Sequence, residues 1–400
     1  MILYGRHRAS EARERSSRAS EPRSSKTGNA PRSALVYITN ARMPTEKAHG
    51  LQIMKTCEAL VKAGHELTLV TPRRRNSLTA DPFTYWNIPK LFPIRRLPTL
   101  DLIRFGRVGF LVQAFTFALA ASVALSRRGY EVIYGRDEVI LCVLSLLGFR
   151  NIVWESHDGA WNLCARFVAR RSRVLVVVSE GLKKFYIEKG ISSGKITVIP
   201  NAIDADAFSH PQEKKVARDR LGLPQDTKIV LYIGRLDGWK GTDTLLEASQ
   251  YFDTGVQLAI IGGDPAHVAE LHTRFPHVLF LGYRPYDELP DNQAAADVLV
   301  VPNTGRSEVS ARFTSPLKLI AHMASRRPVI ASDLPSIREL TGDDAALLVP
   351  ADDPRALAGG VQKVLADPLL GERLAQRAHQ RIASYTWSAR AERIGDILKK

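Results

Sequence analysis

From about residue 34 onward the chain repeats one alternation: a short run of β-branched and aliphatic residues, a turn, then apolar positions at helical spacing. ALVYITN, ELTLVT, EVIY, NIVWES, RVLVVVS and KITVIPN are nearly continuous apolar runs. Strands buried on both faces of a parallel sheet read this way. A polar, turn-rich interval follows from Pro200 to about Pro224, and then a second series begins with KIVLYIG, VQLAIIGG, VLFLG, DVLVVP, PVIAS and ALLVP. Alternating strand and helix signals predict stacked βαβ units. The expected fold is α/β, with one parallel-sheet domain over residues 34–200, a linker over 201–226 and a second domain over 227–384. Residues 385–400 predict a C-terminal helix that either packs on the second domain or crosses back to the first.

Two segments need separate readings. Val108 to Ser126, VGFLVQAFTFALAASVALS, approaches the length and apolarity of a spanning helix. It lies between strands of one sheet and contains Gln113 and several small residues, so the pattern predicts a buried crossover instead. Residues 1–33 hold eight Lys/Arg and three Glu with no apolar h-region, which predicts a disordered basic tail or an early start, not a secretory signal.

Composition narrows the partners. The chain has 400 residues and a formal charge of +15, yet the excess is concentrated in that tail and in the Pro72 to Arg128 stretch, which has ten Arg/Lys and two Asp. Phe83, Tyr85, Trp86, Phe92, Phe105 and Phe110 are interleaved with those cations. A basic, aromatic stretch suggests an anionic membrane surface as partner, met by Arg73 to Arg75, Arg95, Arg96, Arg104 and Arg107. Nucleic acid is argued by net charge alone, so none is expected. Three widely spaced cysteines without a CxxC predict a reducing compartment, neither a disulfide framework nor a metal site, and a cytoplasmic protein.

Candidate chemistry gathers at strand ends. KIVLYIGRLDGWKG runs from a strand into Gly234 and Arg235, with Lys240 five residues on. A guanidinium fork and an ammonium at the carboxyl end of a parallel strand suit a nucleotide diphosphate, the alternative being a turn with solvated charges. Gly263 and the pair Tyr283–Arg284 follow the next two strands, where structural turns are the competing reading. In RFTSPLKLIAHMASRR, Ser315 predicts an N-cap and Pro316 the first helical position, with Leu317 beginning the buried face. Lys318 then opposes the helix dipole, so it is either solvated or facing a phosphate. His157, in NIVWESHDGA, reads as a catalytic or substrate-contacting group or as a satisfied turn histidine. The first loop offers Arg42, Glu46, Lys47, His49 and Gly50 at the same rim.

Taken in order, NARMPTEKAHGLQIMKTCEAL, EVIYGRDE, WESHD, VVSEGLKKFYIEKG, VIPNAIDADAF, GRLDGWKG and SPLKLIAHMASRRPVIASDLPSIREL resemble retaining glycosyltransferases of family 4, the glycosyltransferase group 1 type. The resemblance implies the GT-B architecture, two Rossmann-like domains facing across a cleft. It further implies a nucleotide sugar bound mainly by the second domain and a glycan or lipid-linked acceptor held by the first. Arg235, Lys240 and the Ser315 helix would hold the diphosphate, Tyr283 and Arg284 the base, and His157 would stand near the donor sugar. The nucleotide sugar is a substrate, so no cofactor and no metal are implied. The family usually carries two glutamates with seven residues between them, where this chain has Phe313 and Ala321. A binding subunit without transfer activity and a GT-B sugar-nucleotide epimerase are the alternatives; the second needs carboxylates around the sugar.

Overall fold

The protein is described by a computed structural model covering residues 34–127, 129–236 and 238–399. The tail expected over 1–33 lies outside them. The first domain is a seven-stranded parallel sheet: β1 Ala34–Ile38, β2 Glu66–Pro72, β3 Ile94–Leu97, β4 Val132–Gly135, β5 Ile152–Ser156, β6 Val174–Val177 and β7 Ile196–Val198, in the order β3-β2-β1-β4-β5-β6-β7. The second has six parallel strands: β8 Lys228–Ile233, β9 Val256–Ile261, β10 Leu279–Phe280, β11 Val298–Val301, β12 Val329–Ser332 and β13 Leu347–Val349, in the order β10-β9-β8-β11-β12-β13. Both are the doubly wound order whose direction reverses beside the first strand, and a crevice opens at that reversal. In the first sheet the Asn40 N–H donates to Asp137 across it, at 2.7 Å.

The helices that position the sites are α1 Ala48–Lys62, α2 Gly106–Ser126, α3 Glu180–Glu188, α4 Lys214–Leu221, α5 Leu317–Ala324 and α6 Trp387–Lys399. Two differ from the sequence reading, and the last takes one of the two courses that reading left open. Helix α2 does cross from β3 to β4, but only its inner face, Gly109, Gln113, Ala114, Phe117, Ala118, Ala121 and Leu125, is buried. Its other face is open and apolar. The linker expected over 201–226 is instead part of the second domain, because α4 buries Ala217 and Leu221 in that domain's core. Arg218 beside them, 3% exposed, donates to Asp297 at 2.6 Å. Finally, α6 packs on α1, and its Ile394 and Ile397 share a core with Met54, Cys57 and Leu60. The Ile203 N–H donates to the Tyr385 carbonyl at 2.8 Å, tying the two chain crossings together.

Strand β3, IRRL, was not foreseen. Its two arginines break the apolar pattern, as charge on an edge strand does.

The carboxyl-end loops of the two sheets meet. Phe313, from the segment after β11, is 4% exposed and sits in the first domain's core, 5.1 Å from Phe185 between ring centroids. The Ser179 hydroxyl lies 3.0 Å from the carbonyls of both Arg312 and Phe313. Gly181 permits this approach, since a Cβ there would stand 2.0 Å from the Arg312 carbonyl oxygen.

Candidate functional site

In the second domain two of the foreseen elements, the turn after β8 and the start of α5, meet at Tyr232. Tyr232, the penultimate residue of β8, is buried; its hydroxyl donates to the Arg235 carbonyl at 2.8 Å and accepts from Lys318 Nζ at 2.7 Å. Lys318 also lies 3.9 Å above the Tyr232 ring, a favourable cation–π distance. A Cβ on Gly234 would stand 3.0 Å from the same ammonium, which measures how closely Lys318 approaches the loop. The first turn of α5 thus brings Lys318 against the turn that carries Arg235. Lys240 rests over the Trp239 ring, 3.4 Å from its centroid. A cavity of about 350 Å³ opens beside it, lined by Gly238, Trp239, Gly241, Thr304 and Asp352 among others.

The start of α5 differs from the cap foreseen. Pro316, not Ser315, occupies the N-cap position, and no side chain caps the helix. Ser315 faces the segment after β7 instead, where its hydroxyl and carbonyl accept from Asn201 at 3.1 and 2.7 Å. Leu317 opens the helix. Gly263 is packed against Leu236 and Val268, Tyr283 is 78% exposed, and Arg284 Nε is buried with no hydrogen-bond partner among the described residues. Ala321 is 3% exposed and part of the second domain's core; the neighbouring His322 is buried, bonded to Gln293 at 2.8 Å. Glu308 pairs with Arg312 at 3.1 Å. The position where the family usually has its second glutamate is therefore apolar.

The larger cavity, about 620 Å³, lies in the first domain at its sheet's reversal point and brings His157 together with Arg42, Lys47 and His49. Glu46 and Gly50 lie outside its lining. Arg42 and Glu46 pair with each other at 2.6 Å, and Gly50 packs against Thr45 and Trp86.

Behind His157 stands the carboxylate that flanks it in the sequence, whose buried ion pairs the sequence did not reveal. Glu155, the penultimate residue of β5, is completely buried and accepts from Tyr134, from His157 Nε2 at 2.5 Å and from Arg390 of α6 at 2.6 Å, with Arg136 at 3.0 Å. Burial alone would raise its carboxyl; Arg136 and Arg390 outweigh that and hold it well below the ordinary carboxylate value. An ionised Glu155 accepts a hydrogen bond from the Nε2–H of His157, which leaves Nδ1 as the ring's acceptor. Burial and the Arg136 charge lower His157 to about 4. The ring is thus neutral at pH 7 and can accept a hydrogen bond, but it is not a cationic acid. We expect its NMR resonances to show no imidazolium down to pH 5, with a midpoint near 4. The unfolded ring takes its proton near 6.5, so the stability carried by neutral His157 is whole above that pH and is lost as pH falls toward 4. A midpoint above 6 would contradict this geometry.

Among the described residues no group of three or more His, Cys, Asp or Glu could hold a metal ion. The missed residues differ in legibility. Glu155 carried a signal, a carboxylate within an otherwise apolar strand, and Arg136 stands at a strand's carboxyl end like Arg235. Arg390 carried none, because its partners lie about two hundred positions away in sequence.

Residues 227–367 match the family described as Glycosyl transferases group 1, and residues 50–207 the family described as Glycosyltransferase Family 4. The chain belongs to this family of glycosyltransferases. Among curated relatives it is 33% identical over 264 residues to a phosphatidyl-myo-inositol mannosyltransferase of Mycobacterium tuberculosis, an alignment covering 63% of this chain and 62% of that protein. The chain spans about half the length of the first relatives it matches. Among solved structures, the sucrose-phosphate synthase of Thermosynechococcus elongatus superposes with a TM-score of 0.75 at 24% identity, covering 92% of this chain and 98% of that one. HepE of Anabaena, in complex with UDP-glucose, does so with a TM-score of 0.71 at 17% identity, covering 92% and 99%. They share the GT-B fold with this chain.

Proposed function

We propose that the protein transfers a sugar from a nucleoside diphosphate sugar to an acceptor hydroxyl with retention at the anomeric carbon, as part of glycan assembly on the cytoplasmic face of a membrane. The observation that carries this reading is the meeting of Lys318 with the Gly234–Arg235 turn at the carboxyl ends of the second sheet. The bond between the anomeric carbon and the phosphate oxygen breaks, its electron pair leaves with the diphosphate, and the acceptor oxygen forms the new bond while its proton passes to the departing phosphate. Negative charge grows on the diphosphate as this happens. In this reading Arg235, Lys240 and Lys318 meet that charge, a role that asks for no bound metal. UDP-glucose in the similarly folded HepE and a mannosyltransferase among the relatives support a nucleotide-sugar donor.

His157 serves the opposite side of the reaction, with Nδ1 available to a hydroxyl of the sugar or acceptor. The acceptor lies in the first-domain cavity. A second reading, a subunit that binds the sugar nucleotide without transferring it, is favoured by Ala321, whose methyl group offers ribose no hydrogen bond. One experiment separates the two: titration calorimetry with a panel of nucleotide sugars, followed by assay of nucleoside diphosphate released in the presence of acceptors. Binding with release supports transfer, and binding without release supports the subunit. A protein that binds no nucleotide sugar refutes both.

A further inference from the structure

The outer face of α2 is unlike that of any ordinary surface helix. Val108, Leu111, Phe115, Leu119 and Val123 follow one another at intervals of three and four residues and are 72, 53, 51, 39 and 54% exposed. They form one line along the helix, roughly 22 Å long at 1.5 Å per residue. A helix packed on a sheet normally turns polar residues outward. Here both faces are apolar: the inner one covers the sheet, and the outer one is open. Phe105, 60% exposed, extends it at the amino end, and Leu100, 57% exposed, lies beside its middle, where its N–H donates to the Thr116 hydroxyl at 3.1 Å. A contiguous apolar patch of this kind marks an interaction surface.

The charges around it select the partner. Helix α2 contains no acidic residue, and exposed Arg104 and Arg107 stand at its start. Arg95 and Arg96 of β3 and exposed Arg73 and Arg75 lie in the neighbouring segments, whereas the nearby Asp101 is already engaged by Arg74 and the Arg75 N–H. A second copy of this chain would set arginine against arginine. An anionic lipid surface offers hydrocarbon to the stripe and negative headgroups to its basic margin.

The stripe also reaches the acceptor cavity. Phe110, on α2 and 40% exposed, lines that cavity together with Arg42, Arg74 and Arg136. We propose that the outer face of α2 lies in the headgroup region of an anionic bilayer, with the first-domain cavity opening at its edge, so that the acceptor is itself borne on a lipid. The surface stands on the structure alone; the word acceptor rests on the transferase reading above.

The test is flotation of the full chain with vesicles of phosphatidylglycerol and phosphatidylcholine, beside phosphatidylcholine alone. We expect flotation with the anionic vesicles that weakens as salt is raised. Leu111→Gln, Phe115→Gln and Leu119→Gln combined should lower the bound fraction about tenfold or more, since each removes exposed apolar area, with melting temperature unchanged. Arg104→Glu with Arg107→Glu should weaken binding and flatten its salt dependence. A chain that stays at the bottom of the gradient with anionic vesicles overturns the proposal, as does a triple variant that floats like its parent. So does a dimer in light scattering that the triple variant converts to monomer, because a second copy then covers the stripe. Calorimetry with nucleoside diphosphates on the same samples keeps the two readings apart. Flotation without nucleotide binding sinks the transferase and leaves the surface; nucleotide binding without flotation does the reverse.

Discussion

Arg235→Ala and Lys240→Ala are each expected to slow turnover about a hundredfold to a thousandfold, the usual cost of removing one group aimed at charge that develops during reaction. Arg235 is exposed and lies beyond the end of β8, so its loss removes no core packing. Surface changes of that kind move stability by about 0.5 kcal/mol or less. Turnover and stability should therefore separate, with kcat falling while the melting temperature stays. Affinity for the intact donor should fall less than kcat, because the diphosphate carries more charge as it leaves than it does in the bound sugar nucleotide. Initial rates over a range of donor concentrations, with a melting curve for each variant, check all three statements. Two folded variants with parental turnover would remove the leaving-group role from this loop.

How far the sequence could be read depended on the range of the interaction involved. Twelve of the thirteen strands were legible, because a strand buried on both faces writes its burial into consecutive residues. β3 was not, since Arg95 and Arg96 are tolerated only at a sheet edge, and the edge is a property of the assembled sheet. Helix α2 was read as buried because its apolar character is nearly all-round. Sequence period cannot distinguish an apolar face covered by protein from one left open. The linker over 201–226 looked polar because Arg218, one of its charges, is buried against Asp297, a partner 79 positions away. Ser315 has the identity of a cap, yet Asn201 competes for its hydroxyl, and that partner lies 114 positions away.

The candidate sites divide in the same way. Gly234, Arg235 and Lys318 could be found because each follows or begins an element, and such ends are legible. That they share Tyr232 could not be known beforehand. Glu155 is the sharper case: a single carboxylate in an apolar strand is an anomaly, but what it holds comes from three separate places, Arg136 after β4, His157 after β5 and Arg390 on the last helix.

That convergence makes Glu155→Gln the substitution with the largest expected effect on stability. The glutamine keeps the volume and removes the charge, leaving the Arg390 guanidinium, 2% exposed, and Arg136, 12% exposed, without their counterion. Breaking a buried pair in this way costs about 3–5 kcal/mol, more than the pair itself contributes, because an uncompensated charge remains in the interior. For a first domain of this size the melting temperature should fall by about 10 °C. Since the folded carboxyl lies below its ordinary value, the stability it carries is present above the unfolded value of about 4.5 and lost as pH falls through the folded one, so parent and variant should converge in acid. Arg390→Met placed on the Glu155→Gln background removes one orphaned cation and should recover part of the loss, so the double variant should be more stable than the sum of the singles allows. Function should divide along the domain boundary. Without its carboxylate His157 loses the partner that fixes its tautomer, and turnover should drop. Nucleoside diphosphate affinity, which the proposed function assigns to Arg235, Lys240 and Lys318 in the other domain, should hold. Melting curves across pH, the double-variant comparison and calorimetry on one set of samples test this in full. Additive losses, or a variant as stable as its parent, would show that Arg136 and Arg390 find other partners and that Glu155 does not tie the last helix to the histidine.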